Sequence, residues 1–408
     1  AWDLAAYAAV ADRVVLMAYD EHWMGGPAGP IASQPWFARV VATAVAQAGP
    51  QAIVALGNYA YDWSNGTTTP LAVVEAWDVA RRAATVPLFD RASGNWHFGY
   101  RRDGQDHRVW LLDAVSAGNQ LAAATTAGAS AVALWRLGSE DPQVWTALAG
   151  AAPADLAAMP APEGITVHGS GEVMRLDVPA TTGRRVLRTD ASGLIREARV
   201  DRLPGADVVQ RTGAHRRLVA LTFDDGPDPT WTPQVLDVLK REGAPATFVV
   251  TGANALGQGA LLRRIVAEGS ELGNHSTTHA DLARRSPATI RLELNATERL
   301  VQAYTGHAMR LFRPPFLGDA DPDRRDELHA TRVAASLGYL TVGLNVDPLD
   351  WQSPGAQRIV ARTVAQVESG TAARPRQVVL LHDSGGNRAA TVAALPAIIR
   401  TLRARGYE

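Results

Sequence analysis

The sequence predicts an α/β protein in which two β/α regions flank a small β-rich connector. In both regions short, continuous apolar segments alternate with helical segments, which is typical of parallel sheets covered by helices. A Pro/Ala-rich stretch near the middle of the chain separates the two regions. A length of 408 residues exceeds what one ordinary core holds, so we expect more than one domain.

We assign residues 1–150 to the first β/α region, residues 151–215 to the linker and connector, and residues 216–408 to the second β/α region. Apolar segments predict strands at residues 14–19, 53–57 and 131–135 in the first region and at 218–223, 246–250, 271–273, 311–313, 339–346 and 378–381 in the second. Apolar periodicity and capping signals predict helices at residues 35–47, 110–126 and 389–405 and helices beginning at Thr232 and Ser286.

The composition is that of a globular protein, and it excludes several function classes. Apolar residues make up 47% of the chain and charged residues 20%, and 40 basic residues against 41 acidic ones leave a net charge of −1. Without a basic excess we expect no nucleic-acid partner, and without a run of roughly 20 apolar residues we expect no membrane span. The absence of cysteine excludes disulfides, thiolate metal ligands and a cysteine nucleophile.

The two ends of the chain predict a fragment of a longer polypeptide. The chain starts with AWDLAAYAAV, which has neither Met nor a basic segment before an apolar core and so does not match a signal peptide. We therefore expect further sequence on both sides.

Polar clusters follow nearly all the predicted strands of the second region. The strands of a β/α barrel end at one mouth, where active sites are built, so clusters in these positions are expected to meet. The clusters are TFDDGP at 222–227, HSTTH at 275–279, RPPF at 313–316, DPLDW at 347–351 and LLHD at 380–383.

The first two clusters carry groups suited to a metal ion. Asp224 and Asp225 are adjacent carboxylates, which a cation or an arginine must compensate if both are buried. His275 and His279 can face one ion, since neutral imidazole is a common zinc ligand. Ser276 stands where the zincin pattern has Glu, so a metalloprotease of that type is not indicated. Taken alone, these residues are also typical of a solvated Asp-Gly turn and of two surface histidines.

The other three clusters also have plain structural interpretations. RPPF is a stiff loop whose prolines leave the N–H of Phe316 free to face a ligand, or simply a rigid loop anchored by a surface arginine. DPLDW and LLHD are, alone, a capping turn beside a buried Trp and a satisfied histidine at a strand end. Five such clusters, in order and at one barrel mouth, favour a catalytic site over coincidence.

As a set, the five clusters resemble the motifs of the polysaccharide deacetylase family, also called carbohydrate esterase family 4 or the NodB homology domain. The resemblance implies a distorted (β/α) barrel over residues 216–408. It also implies a metal-dependent hydrolase that removes acetyl groups from N-acetylglucosamine-containing polysaccharide and releases acetate. The polymer stays open among peptidoglycan, a chitin-like polymer and an exopolysaccharide.

Residue by residue, the resemblance implies a metal triad of Asp225, His275 and His279. The cofactor it implies is a divalent metal, with Zn²⁺ preferred. Two histidines and one carboxylate leave coordination positions open for water and substrate. Asp224 matches the general base that takes a proton from the attacking water, and Arg313 matches the residue that holds this base and keeps it ionised.

The remaining matches concern the leaving amine and the acetyl group. His382 matches the general acid that protonates the leaving nitrogen, and Asp350 matches the carboxylate that orients this histidine and raises its basicity. Trp351 and Leu380 match an apolar wall against the acetyl methyl group. Phe316 stands where the family usually has Tyr. Its backbone N–H is expected to stabilise the oxyanion, so the change bears on substrate contacts instead.

The first region resembles the last three strands of a (β/α)8 barrel of glycoside hydrolase family 18. The resemblance rests on MAYD at 17–20, GNYAYDW at 57–63 and ALWRLG at 133–138. It implies that Tyr19 orients a substrate acetamido group and that Trp135 forms the floor of a sugar site, with aromatic core packing as the alternative. The Asp-x-x-Asp-x-Asp-x-Glu run that carries that family's acid is absent from the sequence, so we expect no glycosidic hydrolysis from this chain.

A barrel fragment beside a deacetylase resembles bacterial fusion proteins that continue into a membrane glycosyltransferase. From this resemblance we expect fusion to further domains and a place in the bacterial cell envelope, outside the cytoplasm. Three functions stay open: an active deacetylase, a carbohydrate-binding or scaffold fragment with little activity of its own, and a glycosidase of the full-length parent. The intact Asp224 and His382 favour the first.

Overall fold

A computed structural model describes residues 3–215, 217–317, 322–372 and 374–408. The chain divides into two compact units, the first running to Pro162 and including Ala180–Ala206, the second made of Glu163–Pro179 and Asp207–Glu408. The predicted connector is therefore shared between the units, because some of its strands pair with the sheet of one unit and some with the sheet of the other.

The strands of the described residues, numbered in chain order, are β1 Val14–Met17, β2 Ala52–Gly57, β3 Ala60–Ser64, β4 Thr67–Leu71, β5 Leu88–Asp90, β6 Asn95–Arg102, β7 Gln105–Leu111, β8 Ala131–Trp135, β9 Ala158–Met159, β10 Ile165–Gly169, β11 Val173–Val178, β12 Gly183–Thr189, β13 Ile195–Arg202, β14 Asp207–Thr212, β15 Ala220–Asp224, β16 Thr247–Val250, β17 Glu271–Asn274, β18 Leu311–Phe312, β19 Leu340–Val342 and β20 Val378–His382.

The α-helices are α1 Leu4–Ala8, α2 Gln34–Ala48, α3 Val73–Arg82, α4 Ala114–Thr126, α5 Val144–Leu148, α6 Thr232–Glu242, α7 Gly252–Ala255, α8 Gly259–Ala267, α9 Pro287–Thr305, α10 His329–Ser336, α11 Ala356–Glu368 and α12 Ala389–Ala404. Short 3-10 helices lie at Gly49–Gln51, Pro153–Leu156, Leu282–Arg284, Pro315–Leu317, Asp326–Leu328 and Asp350–Gln352. None of the described helices combines the length and hydropathy that a bilayer-spanning segment needs.

A three-stranded parallel sheet lies in the first unit, with β2 between β1 and β8. Helices α2 and α4 pack on one of its faces, where Phe37, Val41 and Ala124 join Val54 and Leu56 in a buried apolar cluster. The three strands predicted for the first region are present and pair in parallel. This agrees with the alternation of apolar strands and helices in the sequence.

An eight-stranded antiparallel sheet, in the order β4-β3-β7-β6-β5-β13-β12-β9, makes up the rest of the first unit. Helix α3 packs against it through Trp77, whose ring meets Trp96 of β6 edge to face. The apolar pattern of the sequence does not predict the strands of this sheet that lie between β2 and β8. Their side chains alternate between the two faces, and three of the strands are shorter than six residues.

The helix predicted over residues 110–126 is wrong at its start. Trp110 and Leu111 end strand β7, and helix α4 begins only at Ala114. The buried Asp113 caps this helix by accepting hydrogen bonds from two backbone N–H groups of its first turn. The apolar run continues from strand to helix, so hydrophobicity alone does not reveal the boundary.

A nine-stranded sheet, in the order β10-β14-β11-β19-β18-β17-β16-β15-β20, forms the second unit, and helices cover its apolar residues. The six strands β15 to β20 pair in parallel and include all the strands predicted for the second region. The predicted strand over 339–346 is shorter, since β19 covers only Leu340–Val342. After β19 the chain meets the sheet again through a parallel bridge between Val346 and Val379.

The starts of two helices of the second unit were predicted at Thr232 and Ser286. Ser286 caps α9 by accepting the N–H of Thr289, as expected. Helix α6 does begin at Thr232, but this residue, expected as the N-cap, is the first helical residue, and its hydroxyl donates to the buried carboxylate of Asp383. This contact places the start of α6 beside the end of β20, where the candidate site lies.

Candidate active site

The ends of two parallel strands, separated in the sheet by β16, bring three predicted metal ligands together in the second unit. Asp225 follows β15, and His275 and His279 follow β17. Oδ1 of Asp225 lies 3.5 Å from Nε2 of His275 and 3.2 Å from Nε2 of His279, and one ligand atom from each residue lies within 4.8 Å of the others. The three side chains can therefore reach a common ion.

Hydrogen bonding fixes the orientation of His275. Its Nδ1 lies 2.7 Å from the backbone oxygen of Arg313, and because a carbonyl oxygen only accepts, Nδ1 carries the proton. The neutral ring then presents the lone pair of Nε2 to the site, as a metal ligand must. The ring is buried, so it has little freedom to turn away.

Asp225 has the electrostatic environment of a ligand. Its backbone is in the left-handed region, with φ 74°, and the side-chain amide of Asn254 donates to its carbonyl oxygen at 2.7 Å. Burial opposes ionisation of its carboxyl, but His275 and His279 outweigh this effect and hold its pKa well below the usual range. The buried Oδ1 accepts no hydrogen bond from the described residues.

These features fit a divalent cation. Two imidazole nitrogens and one carboxylate oxygen are the donors that Zn²⁺ prefers, and three protein ligands leave room for water and substrate. The unsatisfied oxygen of Asp225 points to the same ligand, because buried polar atoms rarely lack a partner.

Asp224, the predicted base, is buried at the end of β15 and paired with Arg313. Nη1 of Arg313 donates to Oδ1 of Asp224 at 2.7 Å, and the guanidinium also donates to the hydroxyl of Thr222 at 2.8 Å. Its other two nitrogens donate to the backbone oxygens of Val342 and Gly343. Arg313 is fully buried and rigid, so it holds the carboxylate of Asp224 in one place.

His382 and Asp350 form the second buried pair. Nδ1 of His382 lies 2.7 Å from Oδ1 of Asp350, whose other oxygen accepts the backbone N–H of His382 and the hydroxyl of Thr391. Burial alone would lower the pKa of His382, but the hydrogen bond and the charge of Asp350 raise it above its usual value. The charges of Asp224 and Asp225 add to this effect. The imidazolium form therefore persists to higher pH.

The predicted apolar contacts differ in exposure. Phe316 and Trp351 are 67% and 52% exposed, and the ring of Phe316 meets His279 edge to face at 4.7 Å. Leu380 is buried on β20 and points to the same side of the strand as His382, two residues on. Phe316 and Trp351 are thus open to a polymer, whereas Leu380 can only form a wall.

Tyr19 and Trp135 belong to the first unit. Tyr19 follows the end of β1 and Trp135 ends β8, and their rings stack with centroids 6.1 Å apart and planes inclined by 19°. Trp135 is 51% exposed, so its ring is not a core residue. Beside them, the hydroxyls of Tyr59 and Tyr61 donate to one carboxylate oxygen of Asp20.

Several side chains that shape the active site were not singled out from the sequence. Thr222 accepts a hydrogen bond from Arg313, and Asn254 donates to the backbone oxygen of Asp225. Glu293 binds the loop of the two histidines, and Arg388 donates to the backbone oxygen of Asp350. The fifth residue is Asp383, which accepts the hydroxyl of Thr232. Asp383 explains the glycine of TFDDGP, since a Cβ on Gly226 would lie 2.4 Å from its carboxylate. Thr222 and Asp383 lie within the TFDDGP and LLHD motifs, whereas Asn254, Glu293 and Arg388 lie outside all five motifs, where no pattern points to their partners.

Similarity to known proteins agrees with this geometry. Residues 211–341 match the family profile described as polysaccharide deacetylase. A peptidoglycan-N-acetylglucosamine deacetylase of Bacillus cereus is 36% identical over 198 residues, which are 48% of this chain and 85% of that protein. The chain belongs to the polysaccharide deacetylase family. The resemblance inferred for the second region is therefore confirmed, as is the predicted enzyme class, a hydrolytic deacetylase.

Two further proteins are similar to this polysaccharide deacetylase. A chitooligosaccharide deacetylase of a Bradyrhizobium species is 40% identical over 204 residues, 47% of this chain and 87% of that protein. The crystal structure of a family 4 carbohydrate esterase from Streptomyces lividans in complex with acetate is 31% identical, with a TM-score of 0.41, and covers 48% of this chain and 92% of that one.

Proposed function

We propose that this chain hydrolyses the acetamide groups of N-acetylglucosamine residues in a polysaccharide of the bacterial cell envelope. The relatives named above act on peptidoglycan and on chitooligosaccharides, and both substrates carry N-acetylglucosamine. The observation that carries the proposal is the convergence, at one edge of the sheet, of the metal-ligand cluster, the Asp224–Arg313 pair and the Asp350–His382 pair.

In the proposed mechanism, Asp225, His275 and His279 hold a divalent cation, for which we favour Zn²⁺. The cation supplies Lewis acidity to the acetamide oxygen and acidity to the attacking water. Asp224 accepts a proton from that water, and the hydrogen bond from Arg313 holds this base in place.

His382 completes the proposed reaction by giving its proton to the leaving nitrogen. Asp350 holds the ring through Nδ1, so Nε2 is the atom that delivers the proton. The backbone N–H of Phe316 stabilises the oxyanion, and Trp351 and Leu380 receive the acetyl methyl group. Acetate and a free amine are the products.

We infer that the six parallel strands of the second unit form a distorted (β/α) barrel. The bridge between Val346 and Val379 supports this, because it brings the chain after β19 back to β20 at the other end of the parallel set. In this arrangement all strand ends face one mouth, which is where the five motifs lie.

For the first unit we propose a sugar-binding role that follows from its resemblance to glycoside hydrolase family 18. The exposed face of Trp135, stacked on Tyr19, supports it, because sugar rings pack on exposed aromatic rings. Replacement of Trp135 by Ala would then weaken binding to N-acetylated polymer without changing acetate release from short oligosaccharides. Fusion to further domains stays a prediction.

Acetate release from purified peptidoglycan, chitooligosaccharides and an N-acetylated exopolysaccharide tests the proposal. We expect release from at least one polymer, loss of release with a chelator and recovery with Zn²⁺. D224N should release no acetate while still binding metal. Polymer binding without acetate release by the wild-type chain would instead support the scaffold alternative.

A further inference from the structure

The loop that joins the two metal-site histidines follows an unusual backbone path. Ser276 has φ 65° and His279 has φ 54°, both in the left-handed region that side chains other than glycine rarely adopt. Such a path persists only where surrounding contacts hold it. The geometry of the ligand pair therefore depends on what holds the loop.

His279 depends on this loop more than its partner does. The ring of His275 is fixed by its own hydrogen bond to Arg313. The ring of His279 lies beside Asp225, His275 and Phe316, and the backbone N–H of His279 donates to the hydroxyl of Ser276 within the loop. The His279 side chain is also about a third exposed. The loop backbone therefore contributes more to the position of His279 than to that of His275.

Glu293 of helix α9 holds the centre of the loop. Its Oε2 accepts the backbone N–H groups of both Thr277 and Thr278, each at 2.8 Å, and its Oε1 accepts the hydroxyl of Thr278 at 2.8 Å. The hydroxyl of Thr277 donates to the backbone oxygen of Glu293 at 2.7 Å. One side chain thus binds both residues that lie between Ser276 and His279.

Helix α7 holds the opposite, carbonyl side of the same loop. The N–H groups of Gly252 and Ala253 donate to the backbone oxygens of Ser276 and Thr277, at 3.0 and 2.9 Å. The loop is therefore clamped between α7 and α9, but only the α9 side uses a side chain. Removing that side chain would leave the α9 side with the contacts of the Thr277 hydroxyl to the backbone oxygen of Glu293 and to Thr297, and the N–H groups of the loop would lose their acceptor.

We propose that Glu293 is a positioning residue of the metal site, which sets the place of His279 through the loop. This inference rests on the proposed function, since it takes Asp225, His275 and His279 to be the ligands. Partners one step removed from a metal typically change its affinity about 10–100-fold when they are removed. Glu293 binds the backbone N–H groups of Thr277 and Thr278 and the hydroxyl of Thr278, so it acts on His279 through the loop.

Substitution by glutamine separates the hydrogen bonds from the charge. In E293Q the amide oxygen can accept both N–H groups, and the NH₂ group can donate to the hydroxyl of Thr278, which is able to accept. All three contacts are then kept without the negative charge. In E293A all of them are lost, and in E293D the shorter side chain cannot reach both N–H groups.

Co²⁺ binding to the full chain tests the proposal, with competition against a chromophoric chelator and the visible absorption spectrum of bound Co²⁺ as readouts. We expect E293A to bind Co²⁺ about 10–100-fold more weakly, with a changed spectrum. E293Q should keep the wild-type affinity and spectrum. If E293A does not fold, E293D replaces it, with the same direction of change expected.

Two further variants distinguish a failure of the role proposed for Glu293 from a failure of the proposed metal site. S286A removes the cap of the same helix, so it should lower thermal stability but leave Co²⁺ affinity unchanged. H279A should bind Co²⁺ far more weakly. Wild-type Co²⁺ affinity in a folded E293A or E293D would overturn the role of Glu293 alone. A wild-type chain that binds no Co²⁺, or an H279A variant that binds it unchanged, would overturn the proposed metal site itself.

Discussion

His382 is the residue whose protonation state should set the alkaline limit of activity. Its pKa is raised because the charge and hydrogen bond of Asp350 outweigh the effect of burial. A general acid works only while protonated, so kcat/KM should fall as the pH rises through this raised pKa. In D350N the pKa should drop, the fall should move to lower pH, and the rate should decrease by roughly 10²–10⁴.

A control for this pH profile is T391V. The hydroxyl of Thr391 donates to Asp350, so this variant removes one hydrogen bond but keeps the charge beside His382. The alkaline limit should then stay near its wild-type position. Identical profiles for D350N and the wild-type chain would show that His382 is not the group that titrates.

Asp383 should make the stability of the apo protein depend on pH. Burial raises the pKa of its carboxyl from 3.8 to about 7. The folded state then holds a proton that the unfolded state releases, so stability should fall as the pH rises from about 4 to 7 and then level off. The shift corresponds to a loss of at most about 4 kcal/mol, since one unit is worth about 1.36 kcal/mol.

The variant D383N tests this dependence. Its amide oxygen can still accept the hydroxyl of Thr232, but it carries no charge. Urea unfolding with a chelator present should show a flatter pH dependence and a higher free energy of unfolding than wild type above pH 7. Parallel curves for the two proteins would contradict the prediction. The chelator is needed because a nearby cation would favour the ionised carboxylate.

At the scale of the element, strand β12 is tied to helix α4 by a buried ion pair. Arg185 of β12 is 1% exposed and donates to Asp113, which caps α4, and to the backbone oxygen of Leu156. R185M leaves Asp113 buried without its cation, which typically destabilises by about 3–5 kcal/mol. The thermal midpoint of the first unit should fall, whereas acetate release should not change.

Calorimetry with an acetate assay on the same samples checks this prediction. V186A on the neighbouring position is the matched control, because Val186 is exposed and carries no charge. A loss of acetate release in R185M at a temperature where it remains folded would show that the two units are coupled. An unchanged thermal midpoint would show that the pair adds nothing to stability.

A helix or strand could be predicted where its sequence pattern lies within a few neighbouring residues. Asp224 and His382 end parallel strands, and short apolar strands that lead into polar motifs are visible in the sequence. Strands β6 and β7 were missed, because exposed polar residues interrupt their apolar residues and leave no continuous apolar run. Arg185 shows the same limit, since only tertiary contacts assign it to the first unit.

The residues of the candidate site also fall into two groups, those that the sequence indicates and those that only the structure shows. The side chains of the five motifs converge, and their spacing in the sequence already indicated them. Glu293, Asn254 and Arg388 act on the motifs through backbone N–H and carbonyl groups. Hydrogen bonds to backbone groups leave no pattern in a single sequence, so only the structure identifies these residues.

At the scale of the whole molecule, the second unit includes residues that precede part of the first. Strand β11 lies between β14 and β19, so it completes the edge of the parallel sheet. Val178 pairs with Val208, which places the two ends of the intervening segment of the first unit side by side. A chain cut at residue 216 would lose β10, β11 and β14 and expose the backbone edge of β19.

We therefore predict that the second unit folds alone when residues 180–206 are replaced by a short Asn-Gly turn and the chain begins at Glu163. The turn should close β11 and β14 into a hairpin, since such turns suit paired antiparallel strands. The shortened variant should unfold cooperatively and release acetate like the full chain. Residues 216–408 alone should aggregate, because they lack the edge strands and, with them, the Asp207 carboxylate that pairs with Arg332. Size-exclusion chromatography, urea unfolding and acetate assays compare the two. Equal stability and activity of both would show that β10, β11 and β14 are dispensable.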